Sequence, residues 1–100
     1  MPTRRVLITF LSVAETGSVT ASAGDLGYSM AAVSQHVGAL EQHLGVRLFE
    51  RTGRGVTLTP EGACLVPLAR VVLHAWQEIT TLSAAFKVRE TIAQRSGRSA

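Results

Sequence analysis

The chain has 100 residues, 46% of them hydrophobic, with ten Lys and Arg against seven Asp and Glu, for a net charge of +3. That is one folded domain, or one domain with an appendage, rather than a disordered chain; a basic excess this small is compatible with nucleic acid without pointing to it alone. Nine of the ten cations are Arg, the side chain suited to bidentate phosphate and guanine contacts, and the single Cys64 excludes an intramolecular disulfide and a cysteine-rich zinc site.

The start, MPTRRVLITFLSVAETGS, places two Arg before an apolar stretch, as a signal peptide would. Thr9, Ser12 and Glu15 interrupt that stretch, and Leu7, Phe10, Leu11 and Ala14 fall at i, i+3, i+4, i+7, so the reading is an amphipathic first helix with one buried face. No run of about 18 apolar residues exists to span a membrane, and a cytoplasmic location is expected. Gly17 ends the first helix, and Ser18 is positioned to cap a short second one from Val19 to Leu26. Gly27 sits where a left-handed residue is wanted, and Ser29 caps a third helix, Met30 to Leu44, which Gly45 terminates. Two short helices joined by about three residues have helix-turn-helix spacing.

On the third helix Val33, Val37, Leu40 and Leu44 share one side and are the expected core contacts. The opposite side carries Ala31, Gln35, Gly38 and Gln42, with Ser34 on the flank: small or uncharged groups where a solvated face normally has Lys and Glu. Next, Leu48–Arg51 and Val56–Leu58 are β-prone runs around Gly53 and Gly55, which predicts a hairpin with Arg51 and Arg54 at or near its tip. Thr59 then caps a last helix, with Pro60 at its first position and Glu61 at the positive end of the dipole.

This last helix is expected to reach about Arg89, with a bend caused by Pro67. Leu65, Leu68, Val72, Ala75, Ile79, Leu82 and Phe86 repeat at spacings of 3 and 4, which is an a/d seam, and Trp76 flanks it. The seam is about 33 Å long at 1.5 Å per residue. A body of three short helices cannot cover that length, so a paired helix is the better reading than packing on the chain's own domain. Residues 1–59 thus read as one unit, 60–90 as a long dimerisation helix and 91–100 as a flexible tail. The fold class is mainly α: three helices and a two-stranded wing, followed by the long helix.

A helix-turn-helix followed by a hairpin is the winged-helix arrangement. Its third helix fits a major groove about 12 Å wide because its outward face is small. Ala31 and Gly38 allow close approach, Ser34 and Gln35 can hydrogen-bond base edges, and Ser29 with the first-turn amides suits a phosphate. Arg51 and Arg54 can reach the neighbouring minor groove or backbone. The rival reading is a winged-helix module that uses the same face and the long helix for protein partners only.

From Leu7 to about Ala69 the chain resembles the DNA-binding domain of LysR-type transcriptional regulators. The resemblance is carried by VAETGSVT, AVSQHVGALEQHLGVRLFER and LTPEG, occurring in that order. It implies a winged helix-turn-helix, a linker helix that pairs antiparallel with its copy in a homodimer, and an interrupted palindrome of double-stranded DNA as partner. Carried over by position, Ser34 and Gln35 match the base-contacting stretch, Arg51 and Arg54 the wing, and Thr20 the Thr that opens the second helix. With the caps Ser18 and Ser29, the candidate DNA-contacting set is Ser18, Thr20, Ser29, Met30, Ala31, Ser34, Gln35, Gly38, Arg51 and Arg54.

Two departures stand out. Many members have Gln-Pro where this chain has Met30 and Ala31, which leaves Met30 a thymine methyl to contact, and Thr57 stands where the family often has Arg. Family members also continue into an effector domain of some two hundred residues. A small-molecule effector is therefore expected only if the full-length protein has such a domain, and the chain is either an isolated DNA-binding part or a natural short form.

Enzyme and metal readings find no support. His36 and His43 are seven apart on one helix, Cys64 lies on another, and no Ser-His-Asp grouping, Gly-rich phosphate loop or paired carboxylates occur. No cofactor is expected, and Cys64 reads as a small buried apolar residue.

Overall fold

The computed structural model describes residues 3–98, with side chains described for residues 4–87. Four helices and one hairpin follow in order: α1 (Thr3–Thr16), α2 (Val19–Leu26), α3 (Met30–Leu44), β1 (Phe49–Thr52), β2 (Gly55–Leu58) and α4 (Pro60–Arg98). Local signals set the boundaries as expected. Ser18 Oγ accepts the Ala21 amide at 3.1 Å, and Ser29 Oγ accepts the Ala32 amide at 3.0 Å. Gly27 and Gly45 close α2 and α3 in the left-handed conformation, both at φ 72°, where a side chain would strain the backbone.

The core sits where α1 crosses α3 and the foot of the wing. Phe10 is fully buried, with Val6, Val13, Val33, Leu40, Leu48 and Phe49 around it, and the Phe10 and Phe49 rings lie 5.5 Å apart at 49°. Leu11 and Ala14 are half-buried at the edge of this cluster, as is Val37. Leu44 departs from expectation: it is 44% exposed. It is the last residue of α3, and the buried side chain that follows it is Leu48, reached only after the turn at Gly45.

Two buried polar groups stitch the helices together. Thr9 Oγ1 donates to the Arg5 carbonyl at 3.0 Å and lies 2.9 Å from His36 Nδ1 on α3. The His36 ring also meets Tyr28 edge-on, with centroids 5.2 Å apart. Thr59 Oγ1 caps α4 through the Gly62 amide at 3.0 Å and donates to the Arg47 carbonyl at 2.6 Å. The Thr59 cap with Pro60 behind it is the arrangement read from the sequence.

α4 packs on the body through Gly62, Leu65, Val66, Ala69 and Leu73, a stripe at one side of the helix. Leu65, expected at the head of the pairing seam, is instead half-buried against the chain's own core. Cys64 is exposed rather than buried, because at 100° per residue it lies opposite that inward stripe. The helix passes through Pro67 without interruption and continues to Arg98. It thus outruns the expected end near Arg89 and takes in most of the expected tail: from Glu90 to Ser96 there is no Gly or Pro, and Gly97 comes only in the last turn. Among the described residues, no helix is long and apolar enough to cross a membrane.

Candidate nucleic-acid interface

Positioning of the wing begins with backbone. β1 and β2 pair antiparallel with Phe49 opposite Leu58 and Thr52 opposite Gly55, leaving Gly53 and Arg54 as the tip. Thr52 Oγ1 accepts the Gly55 amide at 3.1 Å and the Arg54 amide at 3.3 Å, which pins the turn. The strands run one residue away from the expected limits, and Arg51 and Arg54 stand where the sequence places them. The Val56 amide donates to the Gly17 carbonyl at 3.0 Å. A Cβ at Gly55 would collide with that same carbonyl oxygen. The hairpin is therefore fastened to the turn between α1 and α2, and its tilt relative to α3 is fixed by contacts that only glycine permits.

Glu41 fixes the other end. Its carboxylate accepts the Leu48 amide at 2.7 Å and lies 3.8 Å from Arg47 Nε, so the last turn of α3 holds the chain as it enters β1. A hydrogen bond to a charged acceptor is stronger than a neutral one.

Between α3 and the wing lies a cleft of about 390 Å³ lined by Ser18, Thr20, Met30, Ser34, Arg51 and Arg54, with Val19, Thr52, Gly55 and Val56 as its floor and wall. Six of the ten candidate DNA-contacting residues thus surround one concavity, although they come from three separate elements. Gly38 lines an adjoining cleft of about 170 Å³ together with Ser34 and Arg51. Ser29, Ala31 and Gln35 line neither cleft and stand exposed on the outward side of α3. Thr20 Oγ1 donates to Met30 Sδ at 3.8 Å, which links the first turns of α2 and α3.

Sequence reasoning missed Arg47, which lines the smaller cleft with its side chain 77% exposed. Its position just before β1 was the available signal. It also missed the role of His36, whose ring is held between Thr9 and Tyr28. Among the described residues, no group of three His, Cys, Asp or Glu is placed to hold a metal. On α4, Leu68, Val72, Trp76, Ile79, Leu82 and Phe86 are all between 47% and 61% exposed, and Val71 is 65% exposed beside them. Ala75 is exposed in the same stripe.

Residues 5–63 match the family model described as a bacterial regulatory helix-turn-helix protein of the lysR family. The HTH-type transcriptional regulator TfdS of Cupriavidus pinatubonensis is 51% identical over 70 residues, covering 70% of this chain and 24% of that protein. The chain thus spans about a quarter of that relative's length. Among solved structures, the DNA-binding domain of CbnR in complex with DNA superposes with a TM-score of 0.78 at 36% identity, covering 82% of this chain and 94% of that one. The DNA-binding domain of BenM on catB site 1 DNA gives 0.77 at 30% identity, covering 83% and 93%.

Proposed function

The chain belongs to the LysR family of bacterial helix-turn-helix regulatory proteins, and on that premise we propose that it binds double-stranded DNA sequence-specifically, as the DNA-reading part of a transcriptional regulator. α3 enters the major groove, with Ser34 and Gln35 at base edges and Ala31 and Gly38 allowing close approach. Ser18 and Ser29 meet phosphates, Thr20 stands against Met30 at the head of α3, and Arg51 and Arg54 reach the adjacent minor groove or backbone. Two copies pair through the exposed stripe of α4 and read the two halves of an interrupted palindrome. Residues 1–59 form the reading unit and 60–90 hold the pair together.

The observation that carries this reading is the cleft in which α2, α3 and the wing bring Thr20, Ser34, Arg51 and Arg54 together. Donors from three elements converge there on a space open to solvent. Similar domains of CbnR and BenM were solved on DNA, which supports the same use here. The reading includes no catalysis and puts the protein in the cytoplasm on the nucleoid. A small-molecule effector would require a further domain.

Enrichment from a random duplex pool tests the proposal. The expected product is a pair of dyad-related half-sites spaced by whole helical turns, about 34–36 Å per turn. A folded chain that enriches no sequence, yet captures protein partners through α3, would replace this reading with the interaction module.

A further inference from the structure

We propose that Met30 is a specificity-determining residue that reads the 5-methyl group of a thymine, an inference that rests on the DNA-binding reading above. Met30 is the first residue of α3, and its apolar side chain is 54% exposed. The cleft it lines holds the donors Ser34, Arg51 and Arg54 beside the apolar Val19 and Val56, whereas Met30 donates nothing and its sulfur accepts only weakly. Beside it Ala31 is exposed and has no polar group. The leading edge of the helix is therefore apolar, next to the donors of the cleft.

In the major groove only thymine among the four bases presents a methyl group; cytosine presents an amino donor and the purines present N7 with O6 or N6. An apolar probe gains from the methyl, and it leaves the polar edges of the other bases without partners. Met is unbranched and adapts its shape readily. Here the Thr20 hydroxyl donates to its sulfur at 3.8 Å, which restrains the thioether and makes Thr20 a positioning residue for it. Methyl recognition at the start of α3 would thus be set jointly by both helices of the helix-turn-helix.

The test uses the duplex enriched from the random pool, with each thymine replaced in turn by deoxyuridine, which removes the methyl and keeps the pairing. Binding of the wild-type chain should weaken about three- to fivefold at one thymine per half-site, the worth of one buried methyl. Met30→Leu should keep that sensitivity, and Met30→Ala should lose it while circular dichroism shows an unchanged fold. Any effect of the missing methyl on DNA shape persists in Met30→Ala, so the double difference isolates the contact. Uniform indifference to deoxyuridine in a chain that still prefers the enriched duplex would overturn the inference alone, as would full sensitivity in Met30→Ala. Failure to enrich any duplex would remove the DNA-binding reading and this inference with it.

Discussion

Gly62 faces a wall of backbone: a Cβ there would run into the Leu48 carbonyl oxygen and come within 2.8 Å of Leu58 Cδ2. Backbone on one side cannot yield as a flexible side chain can. Gly62→Ala should therefore push α4 off the foot of the wing and cost about 1–3 kcal/mol, as overpacking does; chemical denaturation followed by circular dichroism measures it, and an unchanged midpoint would show that the helix shifts freely. On the reading face the contrast is between two side chains. Gln35→Ala should remove about 1–3 kcal/mol of discrimination between the enriched and a scrambled duplex. Arg54→Ala should weaken both duplexes alike and lower the salt slope by about 0.9. Equal losses on both duplexes for Gln35→Ala would take base readout away from that residue. The capping Ser18, Ser29 and Thr59 were legible because their chemistry is local. The Thr9–His36 bond was not, since its partners lie 27 positions apart and neither residue type announces the other.

α4 shows what an element's periodicity does and does not disclose. The 3-and-4 spacing from Leu68 to Phe86 marks a continuous apolar stripe, and that stripe is exposed in the single chain. A second stripe, through Gly62, Val66, Ala69 and Leu73, faces the body and was not read, because only Val66 and Leu73 in it are large apolar residues and the longer seam from Leu68 to Phe86 outweighs them. Leu65 lies between the two stripes and packs inward. The exposed stripe proposed for pairing therefore begins at Leu68. Leu68 and Ile79 are 61% and 59% exposed, so Leu68→Glu or Ile79→Glu should leave the fold intact and convert the dimer to a monomer in light scattering. A variant that stays dimeric would remove this stripe as the interface. The hairpin, by contrast, was read almost to the residue, because Gly53 and Gly55 flank Arg54 between two β-prone runs, although only Gly55 sits where a Cβ would collide.

At the scale of the molecule the chain measures 70 × 25 × 20 Å, elongated because α4 projects beyond the small body that it braces. That shape separates the two proposed tasks: one end carries the cleft between α3 and the wing, and the projecting helix carries the exposed apolar stripe proposed to take a second copy. Pairing two such bodies would set two α3 helices on one face of a duplex, where successive major grooves recur about every 34–36 Å. Losing the pair should cost most of the specific affinity, since each half then binds alone. The central claim is tested most directly by fluorescence anisotropy of the chain against the intergenic DNA beside its own gene, with a scrambled duplex as control, at two salt concentrations. Sequence-specific DNA binding predicts affinity for both that weakens as salt rises, through release of phosphate counterions, and a preference for the native duplex that survives the higher salt. Absence of binding to either duplex, from a chain shown to be folded and dimeric, would contradict it.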